Sequence, residues 1–193
     1  LFTTVRFLDS LKSMKLDLEA NKKEVILLKE KHVLYPGQLL GCSIRKIDDV
    51  KFDAFLYIGD GLFHPKALLL KNEKPVFAYN PFSKKQTVLK DSDAVGLKKK
   101  MQGSLLRFLN SKDVGVLMTT KPGQAMMKEA LDLKRRYPKK EFYFLLANTI
   151  DFGELENFPF IECFINTACP RIGYDDTIKI NKPVINIDDL DFT

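Results

Sequence analysis

The chain has 193 residues, of which 45% are hydrophobic and 29% charged, enough to bury the core of one domain or two small ones and too apolar for a disordered or collagen-like polymer. Its longest apolar runs, such as residues 142–147, fall far short of the roughly 20 residues needed to cross a bilayer, which excludes a membrane-spanning helix. Lys and Arg number 31 against 25 Asp and Glu, a net charge of +6 that is compatible with an acidic partner and names none.

Leu1-Phe2-Thr3-Thr4 reads as the inside of a strand, so the sequence is expected to be a piece of a longer protein. Phe7, Leu11, Met14 and Leu18 then recur at helical spacing and form one apolar stripe. Short β-rich runs follow at 25–29, 54–58 and 76–79. A helix begins near Asp91 and carries Met101, Leu105, Phe108 and Leu109. After a strand at 114–118, Met126, Ala130, Leu133 and Tyr137 share one face of a helix that stops at Pro138. A strand at 142–147 leads to Asp151 and Glu154, spaced as a capping box for a short helix, and a last strand lies at 163–165. This alternation predicts an α/β fold with mostly parallel sheets flanked by helices.

The order repeats. Leu1-Phe2-Thr3-Thr4, a helix, Lys22-Lys23-Glu24 and a strand parallel Leu117-Met118-Thr119-Thr120, a helix, Lys139-Lys140-Glu141 and a strand, at nearly constant offset. Two similar modules are expected, residues 1–105 and 106–193.

Three cysteines close no disulfide framework, and no secretory signal opens the sequence, so a reducing, cytoplasmic setting is expected. Cys42 sits in a glycine-punctuated loop, residues 35–43, and Cys169 in the turn Asn166-Thr167-Ala168-Cys169-Pro170-Arg171. Both follow strands, where ligands of open α/β sheets gather. By residue chemistry alone each is either an ordinary thiol or a ligand to iron or zinc. Cys163, inside an apolar strand, reads as core, and its spacing to Cys169 matches no common zinc pattern. His64, in Gly59-Asp60-Gly61-Leu62-Phe63-His64-Pro65, either faces a ligand or caps a plain surface turn. Lys121-Pro122-Gly123-Gln124 opens a helix where backbone N–H groups attract a carboxylate or phosphate, but lacks the spacing of a P-loop or dinucleotide fold. The runs Lys98-Lys99-Lys100 and Lys134-Arg135-Arg136 carry no interleaved aromatics, so no direct nucleic-acid contact is expected.

Residues 35–43, the run from Tyr57-Ile58 through His64-Pro65, Lys121 to Gln124, and Asn166 through Arg171-Ile172-Gly173-Tyr174-Asp175-Asp176 occur in the order of the archaeal diphthamide synthase family, which the chain resembles over nearly its whole length. The resemblance implies a transferase that places a 3-amino-3-carboxypropyl group on a histidine of translation elongation factor 2, the first step of diphthamide biosynthesis. In that family three cysteines, one from each of three similar domains, hold a 4Fe-4S cluster. Cys42 matches the central domain's cysteine and Cys169 the last domain's, while the first domain and its ligand have no counterpart, so this piece alone is expected to be inactive. The implied chemistry is radical cleavage of S-adenosylmethionine. Arg171 is the implied partner of the methionine carboxylate, and Lys121 and Gln124 of the carboxylate or ribose. Asp175 would take the amino group or a hydroxyl, or be a plain turn residue, and His64 would line the cavity. A homodimer is implied for the full-length form. A noncatalytic scaffold or partner subunit of the same pathway is the alternative, and a redox-sensing Cys42–Cys169 thiol pair a third reading.

Overall fold

Secondary-structure elements divide between two units, residues Leu1–Val95 and Gly96–Thr193, in a computed structural model that describes residues 1–121, 124–176 and 180–190, without the side chain of Cys42. The first unit carries β1 (Phe2–Thr3), α1 (Leu8–Ala20), β2 (Phe55–Ile58), α2 (Phe63–Asn72), β3 (Val76–Asn80) and β4 (Lys85–Leu89). Helix α3 (Asp91–Asn110) leads into the second, with β5 (Asp113–Met118), α4 (Met127–Arg136), β6 (Glu141–Leu146), β7 (Cys163–Asn166), α5 (Arg171–Tyr174) and β8 (Val184–Asn186).

The second unit's sheet has the order β6-β5-β7-β8, parallel throughout. Side chains alternate along its strands, and both faces are covered. Val114, Val116, Cys163, Ile165 and Ile185 join Phe108 of α3 and Ala130 and Leu133 of α4 in one core. Leu117, Phe164 and Val184 point the other way, against Leu155, Ile161, Ala168 and Ile172. Two-sided burial is why β5 and β7 read as continuous apolar runs, whereas β6, at the end of the sheet, leaves Tyr143 and Leu146 exposed.

The first unit's sheet, β1-β2-β3-β4, has three parallel strands and an antiparallel fourth. Its last two strands form a hairpin whose turn is set by Asn80, with Oδ1 accepting from Phe82 N (2.9 Å) and Ser83 N (3.2 Å). The halves share a parallel arrangement in which the first strand is followed by a helix and pairs with a later parallel strand, although β5 lies inside its sheet and β1 ends its own, with only a bridge to Gln38 on its far side.

Several elements depart from the sequence reading. Residues 25–29 form no strand. Thr3 N donates to Gly37 O and Leu39 N to Thr3 O, both at 2.8 Å, so residues 37–39 take the edge position beside β1 that β6 holds beside β5. Residues 25–29 keep isolated bonds, such as Leu1 N to Ile26 O (2.8 Å). The capping box at Asp151 and Glu154 is not made. Asp151 Oδ1 accepts from Gly153 N at 2.9 Å, Glu154 bonds Asn157, and the 3-10 helix Gly153–Asn157 has Phe152 at its N-cap. His64 lies in α2 rather than a turn. Leu109, placed on the apolar stripe of α3, is exposed. Helices α2 and α5 and strands β4 and β8 carry no period the sequence shows: the apolar residues of α2 fall in one run, Ala67 to Leu70, rather than a stripe, β4 is mostly polar, and α5 and β8 are short.

Candidate functional site

Six of the seven candidates, His64, Lys121, Gln124, Cys169, Arg171 and Asp175, belong to segments beyond the carboxyl ends of parallel strands of their own unit, the edge where such sheets place ligands, while the Cys42 turn follows a single bridge to β1. In the first unit, Thr3 bridges Gln38 in parallel register, which carries the chain past the end of β1 into the 3-10 turn Gly41–Ser43. Leu40 N donates to Ser43 Oγ (3.0 Å), and the hydroxyl returns its proton to Leu40 O (2.9 Å), closing the turn around Cys42. Gly41 packs closely there: a Cβ would lie 2.6 Å from Phe63 Cε1 at the start of α2, so a larger residue needs that ring to shift. Behind the loop, Arg45 Nε donates to Glu30 Oε2 (2.8 Å), and its NH1 and NH2 groups donate to Asp49 (3.0 and 3.2 Å). Asn72 at the end of α2 accepts from Ile47 N (2.7 Å) and donates to Arg45 O (3.1 Å). The segment after Cys42 is therefore clamped, although the Cys42 side chain lies outside the described residues.

His64, half-buried in the first turn of α2, stacks on Tyr57, with ring centroids 5.7 Å apart. Tyr57 Oη lies 3.4 Å from His64 Nδ1 and donates to Asp60 O, also at 3.4 Å. Burial, with the negative Asp60 nearby, pushes the Tyr57 hydroxyl up to about 12, so it stays protonated beside the imidazole at neutral pH.

In the second unit, the strand-end loops of β5 and β7 leave from neighbouring strands, since Leu117 pairs with Asn166. Thr167 holds them together through its amide and its Oγ1, both donating to Leu117 O at 2.9 Å. Lys121 is exposed and Gln124 half-buried; Lys121 N donates to Thr119 Oγ1 (3.3 Å) and Gln124 N to Lys121 O (3.1 Å). Pro122 and Gly123, at the centre of that motif, lie outside the described residues. Arg171 Nε donates to Asp175 Oδ2 (3.3 Å) on the exposed side of α5. The pair presents a cation and an anion one helical turn apart, matching the two charges of an α-amino acid zwitterion.

The cysteines differ in what they can do. Cys169 is half-exposed on its loop. Cys163 is 1% exposed within the β7 core, and burial pushes its thiol above the ordinary range, which suits packing and disfavours the thiolate a metal needs. Among the described residues, no group of three or more His, Cys, Asp or Glu side chains converges as a metal site. A loop thiol is the donor type an iron–sulfur group takes; Cys169 lies in such a loop of the second unit, and Cys42, by sequence, in the 3-10 turn of the first.

Sequence reading passed over the side chains that shape the Cys169 loop. Asn166, Asn186 and Asp189 are each 3% exposed or less and hydrogen-bonded to one another or to the loop. Their signal in the sequence is slight: a lone Asn at the end of each apolar run, 163–166 and 184–186.

Residues 1–192 match the family model described as diphthamide synthesis protein. The chain is 31% identical over 186 residues to the 2-(3-amino-3-carboxypropyl)histidine synthase of Pyrococcus horikoshii, covering 95% of this chain and 53% of that protein. It is 30% identical over 188 residues to subunit 1 of the Caenorhabditis elegans synthase, at 95% and 47% coverage. The crystal structure of Dph2 from Pyrococcus horikoshii with a 4Fe-4S cluster matches with a TM-score of 0.82 at 27% identity, over 99% of this chain and 55% of that one. The chain spans about half the length of these relatives. Two α/β units that carry motif loops on their strand edges, and a family model met along all but the last residue, lead to one conclusion: this chain belongs to the diphthamide synthesis protein family.

Proposed function

We propose that this chain forms part of an S-adenosylmethionine-dependent enzyme that transfers a 3-amino-3-carboxypropyl group to a histidine of translation elongation factor 2, with Cys42 and Cys169 as two ligands of a 4Fe-4S cluster. What supports the reading is the position of Cys169, only partly buried, in a clamped strand-end loop, in a chain whose structural relative carries such a cluster. When bound, the cluster supplies one-electron reducing chemistry toward the sulfonium of S-adenosylmethionine. The protein's own part is positioning. Arg171 binds the methionine carboxylate through its guanidinium, and Asp175, already paired with it, takes the amino group. Lys121 and Gln124 bind the ribose or a second carboxylate oxygen from the loop after β5, and His64, stacked on Tyr57, lines the ligand edge of the first unit's own sheet. The full-length form acts as a homodimer.

The test is anaerobic reconstitution with ferrous iron and sulfide, of the chain alone and of the chain mixed with a polypeptide spanning the rest of the Pyrococcus protein's length. S-adenosylmethionine, dithionite and elongation factor 2 are then added. The expected result is no stable cluster in the chain alone and, in the mixture, methylthioadenosine with a matching mass gain on the factor. Iron uptake should be lost in Cys42→Ser and Cys169→Ser and kept in Cys163→Ala. Iron without product would turn the reading toward a noncatalytic scaffold, and uptake indifferent to Cys42 and Cys169 would overturn it.

A further inference from the structure

Behind the Cys169 loop runs a buried polar chain that ends on a carboxylate. Asn166 Nδ2 donates to Cys169 O (2.9 Å) and to Asn186 Oδ1 (2.7 Å), while its Oδ1 accepts from Ala168 N (3.1 Å). Asn186 Nδ2 in turn donates to Pro170 O (3.1 Å) and to Asp189 Oδ2 (3.2 Å). The other oxygen of Asp189 accepts from Tyr174 Oη at 3.0 Å, closing the chain onto α5. Asn166, Asn186 and Asp189 are 1%, 3% and 1% exposed.

We infer that Asn186 and Asp189 are positioning residues for Cys169, an assignment that rests on the reading of Cys169 as an iron ligand. A buried carboxylate accepts and cannot donate, so Asp189 dictates that the NH₂ group of Asn186 faces it and Pro170 O. That choice leaves Asn186 Oδ1 facing Asn166, which must present its own NH₂ group there and to Cys169 O, and its oxygen to Ala168 N. One charge therefore fixes both amide orientations and, through them, the backbone on either side of the cysteine.

The backbone alone is a poor clamp for this loop. Helix α5 has four residues, too few to be stable by itself, and its first-turn amides reach the same two carbonyls, Ile172 N to Cys169 O (3.0 Å) and Gly173 N to Pro170 O (3.1 Å). Each carbonyl thus receives one bond from a marginal helix and one from the buried chain. Ligand loops tuned by such outer partners are held in a single conformation, so that binding does not have to order them.

The experiment compares the wild-type chain, Asn186→Ala and a packing control, Val184→Ala, which empties a buried site on β8 without touching the polar chain. Hydrogen exchange is followed in residues 167–175 and in β5, with iodoacetamide alkylation of Cys169 read by mass spectrometry against Cys163, whose burial makes it a reporter of global opening. Asn186→Ala is expected to raise exchange in 167–175 and Cys169 alkylation by about tenfold or more, with β5 and Cys163 unchanged relative to the packing control. Tyr174→Phe, which removes one donor to Asp189 and spares Pro170 O, should produce a smaller shift in the same direction. Unchanged exchange and alkylation in Asn186→Ala, or a uniform rise across both cysteines and both segments as in Val184→Ala, would overturn the assignment. An iron arm separates the two claims. Iron uptake that requires Cys169 with the loop unmoved refutes only the positioning role, whereas a loosened loop with uptake indifferent to Cys169 refutes only the ligand reading.

Discussion

Replacing Gly173 by Ala tests the buried polar chain from the opposite side, by steric displacement. A Cβ at this position would lie 2.3 Å from Asn186 Oδ1, 2.5 Å from its Cγ and 2.6 Å from its Nδ2. Non-bonded contacts do not approach so closely, and Asn186 cannot swing aside cheaply, because it makes three hydrogen bonds, to Asn166, Pro170 and Asp189. Each bond lost costs about 1 kcal/mol net, and Asp189, left in an apolar setting with one partner fewer, adds a penalty of about 1 kcal/mol or more. The sum is about 4 kcal/mol, offset by less than 1 kcal/mol from the better helix propensity of Ala, for a net loss of about 3 kcal/mol. With a urea dependence of about 2 kcal/mol per molar, the unfolding midpoint of the second unit should fall by about 1.5 M. Gly103→Ala is the matched comparison: the same added methyl meets nothing within 4 Å on an exposed face of α3 and should stabilise by about 0.5 to 1 kcal/mol. A midpoint for Gly173→Ala within about 0.3 M of the parent would show that Asn186 moves freely, and the clamp argument would fail.

Glu162 accepts from Lys112 N (2.6 Å) and Asp113 N (3.1 Å) and pairs with Arg107 (3.3 Å), and these backbone donors, helped by the guanidinium, hold its carboxyl below the usual range. A lowered carboxyl contributes stability above its unfolded value and loses it as pH falls through the folded one. Glu162→Gln should therefore melt below the parent at neutral pH, with the gap closing in acid below the ordinary carboxylate range; a constant gap in melts across pH would refute this. Lys140 Nζ donates to Phe108 O (2.6 Å), Leu109 O (3.0 Å) and Ser111 O (2.5 Å), capping the carboxyl end of α3. Lys140→Met removes a partner from Leu109 O and Ser111 O, while Phe108 O keeps Ser111 N (3.2 Å), and should cost about 1 to 3 kcal/mol in urea unfolding, whereas a neutral result would mean that water serves these carbonyls as well.

How much was legible depended on the range over which each feature is decided. Strands β2, β3, β5, β6 and β7 and helices α1, α3 and α4 were visible as runs or stripes, because burial on one or both faces writes a period into the sequence. The paired loops were visible too, since Gly, Pro and Cys at strand ends mark turns locally. The failed capping box at Asp151 and Glu154 shows the limit of local reading: the spacing was right, yet Asp151 turned to Gly153 N instead.

The order of residues by itself determined the two α/β halves and put Cys169 beyond the strand β7, because alternation and turn chemistry are properties of neighbours along the chain, whereas the strand read ahead of Cys42, residues 25–29, does not form. Only the tertiary structure decided that residues 37–39, rather than 25–29, would lie against β1, a contest between two extended segments for one set of backbone donors and acceptors. It alone brought Asn186 and Asp189, distant in sequence, behind Cys169. A buried hydrogen bond is set by where side chains meet in space, and no local pattern records that meeting.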